Sequence, residues 1–399
     1  MTTFSIRFLG CKVSHTDAQD VRERLLGDGH VERSHDLGAD VAVVNTCCVT
    51  HEAVRKSRQE ARRAARRARR VYVTGCAANL EGSFDGLPEN VEVVRLASER
   101  AAHFVAGAVG ALGCVQADVG LGRVRAFVKI QDGCSFSCSF CVIPEVRGSS
   151  RSRAASAVLS EVERRVSQGH REIVLTGINL GCYRDREAGY GLSRLVREVG
   201  AVSGVERLRL SSIEVNHLTD ELVAAMRETP SVSPHLHVPL QSGDDGVLKE
   251  MGRRYDVATY LRRVERARGF NVTTDVIVGF PSEDDAAFER TLDAVEEAGI
   301  TKVHVFPYSP RPGTRTADDD RVPASVKKER SARLRTLSAE ACRRRWAGKL
   351  GREERVLVDR PGRGYGDDYS PWLVEGPQGQ FVHVRAHDVT EEGIVGLAA

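Results

Sequence analysis

Residues Cys134-Ser-Phe-Ser-Cys138-Ser-Phe-Cys141 place three thiols within eight positions, directly after the apolar segment Ala126-Phe-Val-Lys-Ile130. This C-x₃-C-x₂-C run, with an aromatic before its last Cys, supplies three thiolates to one metal centre. A cubic iron–sulfur cluster needs four ligands, and the loop offers no fourth. Structural zinc sites usually close with four protein ligands arranged as C-x₂₋₄-C pairs, so three unpaired thiols argue against zinc. The missing ligand matters because an iron with a free position can bind a substrate or a cofactor. The bland alternative is three ordinary buried thiols.

Working outward, the chain of 399 residues is long enough for two or three domains, and 41% hydrophobic with 28% charged residues is an ordinary globular composition. No apolar run approaches the roughly 18 residues that span a bilayer. The N-terminus starts as a strand and lacks a signal peptide's apolar block, so a cytoplasmic location is expected. Ten Cys without an export signal point to reduced thiols serving metal or redox chemistry. The net charge is only +3, but residues 51–70 carry nine Arg or Lys against two Glu. That segment is +7, leaving about −4 for the rest. Its Ala and Arg content predicts a helix. The charge fits either a solvated helix face or a phosphate-binding surface.

Residues 1–108 alternate strands and helices as a small parallel α/β domain does, with strand candidates Ser5–Leu9, Val41–Val44 and Val71–Thr74. Each of these strands ends near a Cys: Cys11, Cys47 and Cys76. C-terminal strand ends converge in open α/β sheets, so these thiols can meet despite separations of 36 and 29 residues. They form a second candidate three-thiolate set. Cys48 is expected to face the other way, and Cys114, Cys182 and Cys342 read as ordinary thiols. The Gly-rich stretch 109–122 reads as a linker. From residue 123 six strand candidates (125–131, 171–177, 205–212, 235–240, 272–279, 302–307) alternate with helices, which predicts a partial (β/α)₆ barrel. The Cys134 loop follows its first strand. A charged helix over 323–349 closes this domain. Residues 350–399 show short strands at Arg355–Val358, Trp372–Val374 and Phe381–Val384, separated by Gly362–Gly366 and Gly376–Gly379. They predict a small antiparallel β-barrel, an architecture often used to hold nucleic acid.

The Cys134–Cys141 spacing resembles the signature of radical S-adenosylmethionine enzymes, and the whole chain resembles the methylthiotransferases of that class. The first domain carries Leu9-Gly-Cys-Lys-Val13, Val44-Asn-Thr-Cys-Cys-Val-Thr50 and Val73-Thr-Gly-Cys76. The barrel carries Cys141-Val-Ile-Pro144, Arg147-Gly148, Leu175-Thr-Gly-Ile178, Ser211-Ser-Ile-Glu214, His237-Val-Pro-Leu-Gln-Ser-Gly243, Thr274-Asp-Val-Ile-Val-Gly-Phe-Pro281 and Val305-Phe-Pro-Tyr-Ser309. The C-terminal barrel is similar to that family's RNA-binding TRAM domain. Among the family's substrate groups, Asn45–Gln59 with its following Arg pairs is most similar to the group that modifies N6-threonylcarbamoyladenosine in tRNA. The isopentenyladenosine group and the group modifying a ribosomal-protein aspartate are the alternatives. A non-catalytic iron–sulfur RNA-binding redox sensor is the alternative of another class. The sequence departs from the commonest pattern at Ser14 and at Ser135-Phe-Ser137, and neither departure replaces a thiolate.

The resemblance implies insertion of CH₃–S at C2 of the adenine at position 37, beside the anticodon. It implies two [4Fe–4S] clusters and S-adenosylmethionine, which serves as methyl donor and radical source. No side chain is a strong enough acid, base or nucleophile for an unactivated C–H bond, so none is assigned as catalytic. Cys134, Cys138 and Cys141 would hold the radical-generating cluster, and Cys11, Cys47 and Cys76 the auxiliary one. Thr176, Gly177, Ser211, Glu214, Gln241 and Gly279 are candidates for binding the cofactor, with Arg147 near a carboxylate or phosphate. Arg62, Arg63, Arg66, Arg67 and Arg70 would grip the tRNA anticodon stem-loop together with the C-terminal barrel. An electron donor such as flavodoxin or ferredoxin is implied. The oligomeric state is not legible.

Overall fold

The computed structural model describes residues 1–96, 98–111 and 124–398. Most of the segment expected to be a linker, with Cys114, lies outside the described residues.

The first domain is a five-stranded parallel sheet of order β2-β1-β3-β4-β5, from β1 (Thr3–Phe8), β2 (Val31–Glu32), β3 (Ala39–Thr46), β4 (Ala68–Gly75) and β5 (Val91–Val93). Helices α1 (Lys12–Gly27), α2 (His51–Ala65) and α3 (Ser98–Val109) cover it. Val41 and Val43 enter the core against α1 and α3, whereas Ala42 and Val44 enter the core against α2. Burial on both faces explains why the strand reads as a continuous apolar run rather than an alternating one.

The second domain contains a six-stranded parallel half-barrel: β6 (Arg125–Lys129), β9 (Glu172–Thr176), β12 (Arg207–Leu210), β13 (His235–His237), β14 (Asn271–Val278) and β15 (Lys302–Pro307). Bridges Leu208 to Val232 and Ser212 to His237 join its two three-stranded halves. Short pairs β7 (Gln131–Asp132) with β8 (Arg151–Ser152), and β10 (Arg184–Asp185) with β11 (Tyr190–Gly191), brace the loops. Helices α4 (Ile143–Arg147), α5 (Ala155–Ser167), α6 (Leu192–Gly200), α7 (Asp220–Glu228), α8 (Asp245–Glu250), α9 (Val257–Val264) and α10 (Asp285–Glu297) follow the strands. Period-two alternation sends Leu208 and Leu210 into the core with the helices and leaves Arg207, Arg209 and Ser211 on the inner face.

Helix α11 (Ala324–Ala347) leads to a closed five-stranded barrel: β16 (Glu353–Arg360), β17 (Arg363–Tyr365), β18 (Pro371–Leu373), β19 (Phe381–Val389) and β20 (Ile394–Ala398). Two expectations need correction. The stretch Gly362–Gly366, read as a separator, contains β17, and β18 pairs with β20 in parallel. Gly364 is required there, because a Cβ would stand 2.5 Å from the Leu357 carbonyl oxygen.

The two large domains and the small barrel lock together through buried charge. Helix α1 lies along β6, with His15 edge-on to Phe127 at 5.1 Å and Asp17 paired to Lys129 at 2.6 Å. Arg147 donates to Asp17 at 2.7 Å and to Asp132 at 3.0 Å. At the opposite, N-terminal ends of the strands, Arg207 donates to Glu172 and to the carbonyls of Tyr365 and Gly366. Asn271 and Ser233 reach the carbonyls of Asp368 and Asp367. The small barrel therefore floors the large one and leaves the C-terminal strand ends to the first domain.

Candidate active site

The cysteine loop is fixed by its backbone. Cys134 N–H donates to the Gly148 carbonyl at 3.0 Å, Ser139 N–H to Met251 at 2.9 Å, and Cys141 N–H to Cys138 at 3.2 Å. Gly133 opens the loop at φ 70°, and a Cβ there would stand 2.2 Å from the Ser149 carbonyl oxygen. Only glycine meets both demands. The three thiols line one cavity of about 240 Å³ with Asn179, Glu214, Gln241, Arg253 and Asp275. Arg253 faces Cys138 Sγ at 3.5 Å and Glu214 at 3.4 Å. Burial pushes the Cys141 thiol up to about 11 and raises Cys134. Metal ligation must therefore displace protons from these thiols.

Cys11, Cys47 and Cys76 follow β1, β3 and β4 as expected. A Cβ on Gly10 would lie 3.0 Å from Cys47 Cβ, so these strand ends touch. Burial lifts the Cys47 thiol to about 11, and its neighbours Cys76 and Cys11 add to the rise. Cys76 is brought down to about 7 by a hydrogen bond from Cys48, against burial and with help from Arg147. Arg147 Nε stands 2.9 Å from Cys76 Sγ. Cys48 thus faces Cys76, contrary to the expectation that it turns away. Ser14 Oγ lies 3.8 Å from Cys11 Sγ, one helical turn on. Among the described residues no three His, Cys, Asp or Glu side chains form a closed set around a single-ion position.

The loop after β3 reaches the space beside the Cys134 loop, although Cys11, Cys47 and Cys76 themselves line neither of the two cavities there. A second cavity of about 190 Å³ is lined by Cys48, Val49 and Thr50 of the first domain and by Tyr308 and Arg311 after β15. It shares Phe140, Cys141, Ile143, Gln241 and Asp275 with the first cavity. The donor sets suit cubic clusters: two groups of three thiols, one beside Arg253 and the other beside Arg147.

The remaining candidates divide. Glu214 and Gln241 border the chamber, and Gln241 holds φ 69° between two backbone hydrogen bonds to the Asp275 and Ile277 peptides. Thr176, Gly177, Ser211 and Gly279 do not line it. Gly177 instead closes on Gln131, and the space a Gly279 Cβ would need is taken by the Lys327 stem at 2.4 Å. Arg62, Arg63, Arg66, Arg67 and Arg70 are all exposed. The helix stops at Ala65, however, so Arg66 and Arg67 form the turn and Arg70 lies on β4. Arg62 and Arg66 have no ion pair among the described residues. Sequence reasoning missed Asn179, Arg253, Asp275 and Arg311, isolated residues with no spacing signal. It also missed that Cys182 pairs with His217 at 3.3 Å beside the Cys134 loop.

Two family models match parts of the chain. Residues 128–295 match the radical SAM superfamily, and residues 3–97 match an uncharacterized protein family, UPF0004. The fold is shared with the radical S-adenosylmethionine methyltransferase TsrM of Kitasatospora setae (TM-score 0.57, 15% identity, 79% of this chain and 77% of that one). It is also shared with the cobalamin-dependent S-adenosylmethionine radical enzyme OxsB (TM-score 0.54, 10% identity, 86% and 58%). These define the class, a radical S-adenosylmethionine enzyme. The threonylcarbamoyladenosine tRNA methylthiotransferases MtaB of Chlamydia pneumoniae and Thermotoga maritima are each 34% identical, over 99% and 100% of this chain and 97% and 98% of their own. A tRNA-2-methylthio-N(6)-dimethylallyladenosine synthase of Jannaschia sp. is 31% identical over 98% of this chain and 93% of its own. The chain belongs to the radical S-adenosylmethionine methylthiotransferase family.

Proposed function

We propose that this protein inserts a methylthio group at C2 of N6-threonylcarbamoyladenosine at position 37 of tRNA, working in the cytoplasm. The observation that carries the reading is the shared chamber: Cys141 borders both cavities, and the loop after β3 closes the far one. The relatives named for threonylcarbamoyladenosine support this base over the dimethylallyl one.

The cofactors are two [4Fe–4S] clusters and S-adenosylmethionine. When bound, they supply radical cleavage of a C–H bond and a transferable sulfur. Cys134, Cys138 and Cys141 would hold one cluster, and Cys11, Cys47 and Cys76 the other. The chain's own part is to hold and exclude. Arg253 places positive charge beside Cys138, and Arg147 beside Cys76, where it favours the thiolate. Glu214, 8% exposed, is positioned by Arg253 and the Asn216 N–H to accept a cationic group in the chamber. Apolar Phe140, Ile143 and Phe306 line the walls that exclude water from a reactive carbon. The exposed arginines from Arg62 to Arg70 and the small barrel give the RNA backbone a surface. A one-electron donor of the flavodoxin or ferredoxin type completes the reaction.

The test is reduced, reconstituted protein incubated with S-adenosylmethionine and an anticodon stem-loop carrying the threonylcarbamoyl base. Formation of 5′-deoxyadenosine together with the 2-methylthio product is expected. Absence of 5′-deoxyadenosine with both clusters loaded sinks the enzyme reading. Product only on an isopentenyl stem-loop sinks the substrate reading.

A further inference from the structure

The cavity between the Cys134 loop and the loop after β3 has a single cation in its wall, and the fold gives that cation no acid. Arg311, which follows β15, lines this space of about 190 Å³ together with Cys48, Thr50, Cys141, Asp275 and Ser309. It is 3% exposed, and its Nε has no hydrogen-bond partner. Among the described residues it makes no ion pair, and its guanidinium donates only from Nη2 to Ser309 Oγ, at 3.3 Å. Asp275 is the one carboxylate among the described residues of the wall, and it is held by His237 at 3.1 Å. The Cys48 thiol is turned to Cys76. Ser309 Oγ also accepts from the N–H of His51, the first residue of α2, at 3.5 Å. This 15-residue helix therefore starts at the same wall, with Thr50 as its cap. Glu52, the acid of its first turn, is exposed and paired to Arg55 and Lys56. A buried guanidinium N–H without an acceptor is costly, and a helix N-terminus adds partial positive charge. Guanidinium, hydroxyl and helix end together call for an oxyanion.

We infer that Arg311, Ser309 and the first turn of α2 bind an oxyanion of the substrate nucleotide, an inference that rests on the proposed reading of the chamber as the seat of a tRNA base. The same wall includes Phe140, Ile143, Ile277 and Phe306, apolar surfaces against which a planar base can lie. A threonylcarbamoyl nucleotide placed there carries negative charge at two places. One is the carboxylate at the end of its N6 arm. The other is the phosphate on either side of the nucleoside. Both present a pair of oxygens, which matches the in-plane N–H groups of a guanidinium. A nucleotide lacking the charge would leave Arg311 buried and unpaired. Arg311 thus sets specificity as well as affinity.

The test measures Kd and kcat/KM on the reconstituted holoenzyme for the threonylcarbamoyl stem-loop and for neutralised versions of it. One version carries the carboxyl methyl ester, and the others carry a methylphosphonate on one or the other side of position 37. Wild type should lose about ten- to a hundredfold with one of these versions. Loss with the ester places the carboxylate in the recess, and loss with a methylphosphonate places the phosphate there. Arg311→Gln should bind the unaltered stem-loop as weakly as wild type binds that version, and should no longer distinguish the two. Arg311→Lys should restore part of the difference. Equal treatment of all the stem-loops by wild type overturns the inference, and that result needs no variant to fold. An Arg311→Gln enzyme that still distinguishes them overturns it as well. So does one depleted of iron, or slower to cleave S-adenosylmethionine without RNA, which assigns Arg311 to the auxiliary thiols or to the cofactor. Product formed by wild type only on an isopentenyl stem-loop overturns the threonylcarbamoyl reading instead, and the methylphosphonate comparison on that stem-loop then decides the recess.

Discussion

At the scale of single residues, the two cysteine sets make separable predictions. Cys141→Ala should abolish 5′-deoxyadenosine formation and product together. Cys47→Ala should leave S-adenosylmethionine cleavage measurable while stopping methylthio insertion. Chromatography of both products on folded protein decides this, and identical behaviour of the two variants defeats the division of labour. That Cys134, Cys138 and Cys141 share one cavity was legible, because three Cys in eight positions on one loop must lie close together. The arginines beside them were not. Arg147 has spacing to Cys141 but none to Cys76, which it meets at 2.9 Å only because α4 packs under the end of β4. Arg311 is 3% exposed with an unpartnered Nε, and it reaches the auxiliary region through a loop after β15. Such residues acquire a role from topology, which a single sequence does not display. Cys48 was misjudged for a related reason. Adjacent residues alternate sides on a strand, but the chain has already left β3 at Thr46.

At the scale of elements, the loop opened by Gly133 is the most constrained piece. Gly133→Ala would pay left-handed strain of about 1–2 kcal/mol, plus displacement of the Ser149 carbonyl. It should lower Tm and deplete iron from the Cys134 set while the auxiliary set keeps its own, as iron analysis combined with EPR would show. Helix α2 makes a different prediction. It begins at the chamber, where Thr50 caps it by accepting from Ala53 N–H, and its 15 residues carry the chain roughly 22 Å outward. Arg62→Gln with Arg66→Gln should weaken stem-loop binding and reduce the slope of log Kd against log salt by about 1.4–1.8 if both contact phosphate. An unchanged slope returns this surface to a solvated face. The end of the helix was not legible, because Arg and Ala have similar helix propensity up to residue 70. What ends it is the entry into β4, where Arg67 must pass so close to Gly38 that a Cβ there would meet its carbonyl oxygen at 2.8 Å. The six barrel strands were legible from two patterns, an apolar run in β9 and period-two alternation in β12, where Leu208 and Leu210 are separated by Arg209. The two- and three-residue strands β2, β5 and β17 are too short to show a period.

At the scale of the whole molecule, three domains are joined by charge that must stay ionised. Glu172 is fully buried, and burial alone would raise its carboxyl, but Arg207, Arg209 and Arg125 outweigh that and hold it below the usual range. A carboxyl lower in the folded state than its unfolded value of about 4.3 contributes stability above that pH and loses it as pH falls through the folded value. Thermal unfolding should therefore drop below about pH 4. Glu172→Gln should be less stable at pH 7, by about 3–5 kcal/mol as for a broken buried pair, and flatter between pH 5 and 3. A variant with the wild-type acid profile would place the joint elsewhere. The domain arrangement gives the account its central claim, that the Cys134 loop and the loop after β3 enclose one chamber for a tRNA base. Mass spectrometry of tRNA nucleosides from a deletion strain of the source organism, with and without a restored copy, tests it most directly. The account predicts that 2-methylthio-threonylcarbamoyladenosine disappears, its unmethylthiolated parent accumulates, and the restored copy reverses both. Persistence of the methylthio base, with loss of its isopentenyl counterpart or of no tRNA nucleoside, would contradict it.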